Sequence, residues 1–438
     1  MAKGDGSSKV IVILFVALAF LWITGLIKSE IGHVLLQISA MLSVALVLGQ
    51  LALRLRQPPV LVEILAGIIL GPTILGYLFP EAQTWLFPAS GVSKQIVAYV
   101  AFLGLISFVF LSGLEIDLGQ VIRRRRTIAF TSTLGILVPF SVGYLSVIFF
   151  PRIWRSTGDP GIFAIIIGTT LSISALPVIA RILMDLGLAK KEVGATILTA
   201  ATIDDALGWA IFAFVLSVVS SGAHKILSIG LTASFFALAA FVIYLRFRCQ
   251  IQHKCNRTLV GGAVELASAT MLATAVISEI MGAHGIFGAF LAGMVLCEKR
   301  KRKYLLEKAR PLIVGILAPI YFASIGLKVN FAEGFDPVLV TLVFLIACVG
   351  KIFGASLGAR ASGMGGKDAM AVGFGMNARG AVEIVLASLA LDNHLIDQRI
   401  FVALVIMALA TTAISGEAIK RLAIPRSPND NNLRSFKR

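Results

Sequence analysis

Across 438 residues, 58% of the side chains are hydrophobic, 14% are charged, and the mean hydropathy is +0.92. That balance excludes a soluble globular domain, and apolar runs of spanning length from end to end exclude a transmembrane barrel of short alternating strands. The formal charge of +16 does not point to nucleic acid, because the basic residues are distributed as in a membrane protein.

The composition predicts an all-α polytopic membrane protein. Apolar segments are expected near residues 10–28, 33–54, 58–78, 95–113, 127–150, 162–184, 193–220, 226–246, 258–281, 284–297, 311–327, 337–359, 368–390 and 400–418, numbered one to fourteen below. Segment one follows Lys3 and Lys9 and lacks a clear small-residue cleavage site. It reads as an extra helix or an uncleaved signal, and its removal would leave thirteen spans. With the N-terminus inside, most of the 39 lysines and arginines fall in alternate loops and the tails, including Arg123 to Arg126, the run from Lys299 to Arg310, and Lys420 onward. The positive-inside rule then places both ends of the chain in the cytoplasm. Arg181, Lys351 and Arg379 stand apart, inside expected spans.

EILAGIILG (Glu63–Gly71, segment three) resembles AFLAGMVLC (Ala289–Cys297, segment ten). FLSGLEIDL (Phe110–Leu118), ending segment four, resembles SIGLKVNF (Ser324–Phe331), ending segment eleven. Segments six and thirteen match by position, since both are interrupted by polar and helix-weakening residues. Each pair is an odd number of segments apart, so the copies cross the membrane in opposite directions. The expected organisation is an inverted-topology repeat: residues 1–32 as tail and extra segment, 33–222 as the first repeat, 223–257 as linker helix and inner loop, 258–418 as the second repeat, and 419–438 as a cytoplasmic tail. Inverted repeats are typical of secondary transporters, whose sites form at the midplane where broken helices meet. The tail is too short for a folded regulatory domain and reads as disordered.

Glu63, Glu115 and Asp117 lie near segment ends and are expected to reach the interface. Segment six reads GTTLSISALPVIAR. Pro177 cannot donate the helical hydrogen bond and disfavours helix in the residue before it. Either the helix breaks, releasing carbonyls beside Thr169, Thr170, Ser172 and Ser174, or it is a kinked packing helix whose hydroxyls bond back to its own carbonyls. In segment seven, ATIDDALGW puts Asp204 and Asp205 into an apolar run. Each carboxylate at the centre of a span costs about 2.5 to 3.5 kcal/mol on the lenient insertion scale. A structural ion pair and a site for cations or protons both account for them.

Cys249, His253 and Cys255 share an inner loop without a fourth zinc ligand nearby, and Cys297 and Cys348 read as small apolar residues. Glu265 and Glu279 share one face of segment nine and read as packing or solvated positions, while His284 reads as a hydrogen-bonded interfacial side chain. Lys351, in CVGKIFGASLG of segment twelve, has no acid nearby on its own helix. A buried lysine needs a partner or loses its proton, and the acids at its depth are the two aspartates. Segment thirteen, GFGMNARGAVEIV, carries Gly373, Gly375, Asn377 and Gly380, with Arg379 and Glu383 four apart on one face. That pair is either self-neutralising or compensates the charge of facing broken-helix ends. Counting residues at about 1.5 Å each puts Ser174, Asp204, Lys351 and Arg379 in one layer, about 16 to 21 Å from a helix end. Neighbouring residues on a helix point about 100° apart, so Asp204 and Asp205 cannot share one role. Carboxylate, hydroxyl and carbonyl oxygens suit a hard cation such as Na⁺, and a proton competes for the same carboxylate.

ATIDDALGW, SISALPVIAR, VGKIFG, AHGIFGAFLAG and NARGAVEIV, in this order over about His33 to Ala418, resemble the cation:proton antiporter superfamily, of the bacterial sodium/proton exchanger type with an Asp-Asp motif. The resemblance implies a sodium/proton antiporter-like fold of thirteen core helices with two crossed broken helices, here with an additional N-terminal hydrophobic segment. It implies Asp205 as the principal ion and proton carrier, Asp204 paired with Lys351, and Thr170, Ser172 and Ser174 near the ion. It also implies electrogenic exchange of protons for Na⁺, with Li⁺ or K⁺ as further candidates, by an elevator-like movement in a homodimer of the bacterial inner membrane. Sodium and protons are then cargo and no cofactor is implied; the partners are monovalent cations, protons, membrane lipids and a second copy, with no nucleic acid. A nucleotide-binding domain like that of the glutathione-gated potassium efflux relatives is not expected. A K⁺/H⁺ antiporter, a cation channel and a Na⁺-coupled organic anion transporter are the alternatives, and no nucleophile, base and orienting partner suggests an enzyme.

Overall fold

The computed structural model describes residues 29–55, 59–115, 125–155, 159–188, 191–220, 230, 234, 263–281, 285–295 and 299–423. The N-terminal hydrophobic segment at 10–28, most of the linker at 223–257 with Cys249, His253 and Cys255, and Asp117, His284, Cys297 and the tail from 424 lie outside the described residues. So do the side chains of Glu115 and Arg181.

All regular structure among the described residues is helical. The principal helices are α1 (Glu30–Leu55), α2 (Pro59–Leu70), α3 (Val92–Glu115), α4 (Arg125–Phe149), α5 (Pro160–Ser172), α6 (Leu176–Asp185), α7 (Glu192–Ser220), α8 (Ala263–Ile280), α9 (Gly285–Val295), α10 (Lys299–Leu312), α11 (Ala318–Gly326), α12 (Pro337–Ala361), α13 (Gly366–Met376), α14 (Ala381–Asp392) and α15 (Gln398–Ala423). Among the described residues, seven stretches are long and apolar enough to cross a membrane. Neither interrupted helix is among them, because each break divides a span into halves of 10 to 13 residues.

The starts of these helices follow from local chemistry. Asp159 caps α5 by accepting from the amides of Gly161 (2.8 Å) and Ile162 (2.9 Å), and Asp336 caps α12 through Val338 (3.0 Å) and Leu339 (3.1 Å). In both, proline follows the cap at a position whose amide would have no helical partner. The start of segment eleven differs from the sequence expectation. The basic stretch from Lys299 is helix rather than loop, and it runs through Pro311 and a π turn at Ile313–Leu317 into α11. A proline inside a helix removes one amide donor, and a π turn re-registers the ladder beyond it.

Glycine seams set how closely the helices approach. A Cβ on Gly67 would collide with the Ala323 carbonyl oxygen, and one on Gly326 with that of Ile64, which fastens α2 to α11. A Cβ on Gly293 would collide with the Phe110 carbonyl oxygen, and one on Gly113 with that of Phe290, which fastens α9 to α3. In the repeat alignment Gly67 corresponds to Gly293, Ile64 to Phe290, Gly113 to Gly326 and Phe110 to Ala323. Exchanging the halves therefore turns one seam into the other. Helices α4 and α12 pack on each other, with Gly354 and Gly358 against the carbonyls of Leu134 and Phe130. The site lies beside this last pair.

Candidate ion-binding site

The first interruption begins where α5 ends at Ser172. Ile173 (φ −82°, ψ 146°) and Ala175 (φ −93°, ψ 97°) are extended, and helix resumes at Leu176 with Pro177 in its first turn. The second runs from Asn377 to Gly380, between α13 and α14. The two breaks meet: the Ala175 amide donates to the Ala378 carbonyl at 3.1 Å, and the Ser174 hydroxyl reaches the Met376 carbonyl at 2.7 Å. Each break thus supplies partners for backbone groups the other leaves without a helical ladder, a requirement for irregular backbone at membrane depth.

The end of α5 exposes carbonyls at the negative pole of its dipole. Arg379 covers two of them, donating from Nη1 to Thr170 O (3.2 Å) and from Nη2 to Leu171 O (2.5 Å). Lys351, from α12, donates to Ser172 O, to Gly135 O of α4 (2.9 Å) and to Asp204 Oδ2 (2.5 Å). Its three ammonium protons therefore have three acceptors. Arg379 also pairs with Glu383 at 3.0 Å, one helical turn along. Lys351, Asp204 and Arg379 are 0% exposed, and Asp205 and Glu383 are 1% exposed. Buried charges of this kind persist only when paired and hydrogen-bonded.

The hydroxyls divide. Thr169 and Thr170 donate back to Ile165 and Ile166, at 2.7 and 2.8 Å, and Ser172 donates to Thr169 O at 2.8 Å, all within α5. Ser174 faces both Asp204 Oδ2 (3.1 Å) and Met376 O (2.7 Å). One hydroxyl proton serves one acceptor at a time, so Ser174 can alternate between carboxylate and backbone. Asp205 follows Asp204 on α7, lies within electrostatic reach of Lys351, and points elsewhere because adjacent helical residues diverge by about 100°. Asp204 Oδ1, Glu383 Oε2 and Asn377 Oδ1 have no hydrogen-bond partner among the described residues.

Sequence reasoning missed two contributors to the site and, apart from it, the burial of one acid. Thr412, on α15, accepts from the Arg379 amide at 3.1 Å and donates to the Arg379 carbonyl, so one side chain holds both backbone groups of the residue that caps α5. A threonine in an apolar helix gave no signal for this. The Gly135 carbonyl carries no side-chain signal at all. Glu63, expected at the interface, is 6% exposed within α2, and its Oε2 has no partner among the described residues. Its nearness to a helix end in sequence did not reveal this burial, in a helix that packs against α1 and α11.

Two helix breaks joined by one backbone hydrogen bond and one from the Ser174 hydroxyl, with buried charged pairs beside them, form a fold of ion-transporter type. The family model "Sodium/hydrogen exchanger, transmembrane" matches residues 38–424, and the chain belongs to that family. It is 32% identical over 409 residues to Cation/H(+) antiporter 18 of Arabidopsis thaliana, covering 89% of this chain and 49% of that protein. It is 31% identical over 409 residues to the Na(+)/H(+) antiporter NhaS4 of Synechocystis sp., covering 89% of this chain and 97% of that protein. The chain thus spans about half the length of the plant relative and nearly all of the cyanobacterial one. The sodium proton antiporter MjNhaP1 of Methanocaldococcus jannaschii, solved at pH 8, superposes with a TM-score of 0.64 over 90% of this chain and 98% of that one, at 16% identity. At that identity the likeness concerns the fold.

Proposed function

We propose that this protein is a secondary active antiporter exchanging protons for monovalent cations, with Na⁺ as the first candidate and Li⁺ or K⁺ admitted by the same oxygen chemistry. The observation that carries the reading is the Asp204–Lys351 ion pair, 0% exposed on both sides, at the meeting of two helix breaks and next to a second buried carboxylate. Asp205 is the carrier, taking a proton or a cation in turn. Asp204 holds Lys351, and Ser174 is the hydroxyl nearest this exchange. The back-bonded hydroxyls of Thr170 and Ser172 bring those residues to the site through their carbonyls instead. Arg379, balanced by Glu383, compensates the end of α5. Two carboxylates with one lysine support electrogenic exchange, since displacing protons from both sites moves more charge than one monovalent cation returns.

The symmetric glycine seams support two inverted repeats at 33–222 and 258–418, joined by 223–257 and flanked by 1–32 and 419–438. Access alternates by an elevator-like movement of the part carrying both breaks, within a homodimer in the bacterial inner membrane with both ends in the cytoplasm. No resident cofactor is required. The test is transport in proteoliposomes with the membrane potential clamped and a pH gradient imposed. Na⁺-dependent proton movement is expected, and Asp205→Asn abolishes it; exchange retained in that variant sinks the assignment. A reversal potential indifferent to pH would mark a channel instead.

A further inference from the structure

The antiport reading gives Asn377 no task, although this residue is 0% exposed and lies where the two breaks meet. It closes the last turn of α13, its backbone amide donating to the Gly373 carbonyl at 3.1 Å. The side-chain nitrogen reaches the sulfur of Cys348, on α12 one turn before Lys351, at 3.5 Å. Its side-chain oxygen has no partner among the described residues. A buried amide oxygen in that state costs free energy that an aliphatic side chain of similar size would not.

Asp204 is divided in the same way. Its Oδ2 takes both Lys351 Nζ (2.5 Å) and the Ser174 hydroxyl (3.1 Å), while its Oδ1 has no partner among the described residues. The packing brings Asp204 and Asn377 to one place. The Ser174 hydroxyl beside Asp204 Oδ2 also lies 2.7 Å from the carbonyl of Met376, the residue before Asn377. The end of α13 is pressed onto α7 as well, since a Cβ on Gly375 would sit 2.5 Å from Ile197 Cδ1. Ile197 and Asp204 are two helical turns apart and share one face of α7. The chain leaving α13 at Asn377 therefore runs along the face of α7 that carries Asp204.

Carboxylate and amide oxygens are both acceptors and cannot bond to each other. Satisfying the two together takes a cation or a proton donor between them, and a hard monovalent cation binds oxygens of both kinds. We infer that Asn377 is a cation-ligating residue: its amide oxygen and Asp204 Oδ1 hold the same monovalent cation, with Cys348 steadying the amide. The inference deepens the antiport reading and rests on it. A neutral amide oxygen takes up no proton, so this ligand favours the cation over the proton with which it competes for the carboxylates.

The test is isothermal titration calorimetry on the full chain in detergent at two pH values, adding NaCl, LiCl or KCl against choline chloride at constant ionic strength. Asn377→Ala is expected to weaken binding of the preferred cation several-fold, and by the same factor at both pH values, because only the cation loses a ligand. Asn377→Ser, which keeps an oxygen at shorter reach, should fall between. If the alanine variant fails to fold, the serine variant read against the unaltered chain decides by the same two criteria. Unchanged affinity in the folded variant would mean that the oxygen holds no more than a water. A loss that differs between the two pH values would mean that the amide acts through the carboxylates. Either result overturns the proposal, as does the absence of cation binding in the unaltered chain. Binding that depends on Asn377, in a chain that exchanges no protons for cations in proteoliposomes, would fault the antiport reading alone.

Discussion

Lys351 shows why a buried charge need not be a stabilising one. Its ammonium has three acceptors, from α4, α5 and α7, yet desolvation of both partners offsets much of the attraction. Removing one partner is different from removing both. Lys351→Ala leaves Asp204 buried without its cation, and a loss of about 3 to 5 kcal/mol is expected. Asp204→Asn in the same chain should return part of it, so the double variant will be less destabilised than the sum of the two singles. Thermal unfolding in detergent measures this, and strictly additive effects would show that the pair does not act as a unit. Thr412 permits a finer test. Thr412→Val keeps shape and removes the hydroxyl that holds both backbone groups of Arg379. A loss of about 1 to 3 kcal/mol and slower exchange are expected, with Thr412→Ser restoring both; a serine variant as impaired as valine would assign the effect to packing.

At the scale of elements, the seams between α2 and α11 and between α3 and α9 are built alike, glycine against carbonyl on both sides. A methyl at Gly67 or Gly293 must push two helices apart, since backbone cannot rotate away as a side chain can. Gly67→Ala and Gly293→Ala should each destabilise by about 1 to 3 kcal/mol, and by similar amounts if the seams are equivalent. A large effect at one and none at the other in unfolding measurements would break the equivalence. The glycine–glycine matches were visible in the sequence as short similar strings. Their meaning was not, because a string does not say which segment its glycine touches. The interrupted helices were legible for a different reason: Pro177, and the glycines around Asn377, act on the backbone locally. The extent of α10 was not legible. Charge suggested a loop, and only packing of Leu305 and its neighbours carries the helix back to Lys299.

Across the whole molecule, Lys328 and Asp392 join the end of α11, which packs on α2 and α3, to the end of α14, half of the second interrupted helix. The ion pair is 2.7 Å long, but its side chains are 36% and 47% exposed, so it adds little stability. Its interest is positional, since an elevator-like movement of the breaks must separate these two ends. A cysteine pair, Lys328→Cys with Asp392→Cys, should arrest exchange when bridged by a bis-methanethiosulfonate spacer that spans the length of the lost lysine, and release it on reduction. Undiminished transport in the cross-linked protein would place both ends in one rigid unit.

Sequence alone determined the class of solvent, the places where two helices are weakened and the identities of the charged residues inside expected spans. Each of these follows from composition, period or a local backbone constraint. Tertiary structure decided which groups meet. It placed Lys351 on Asp204 and on the end of α5, turned the hydroxyls of Thr170 and Ser172 into their own helix, enlisted Thr412, and buried Glu63. A hydrogen bond between residues some 200 positions apart is fixed by how helices pack, and no local signal in the chain encodes it.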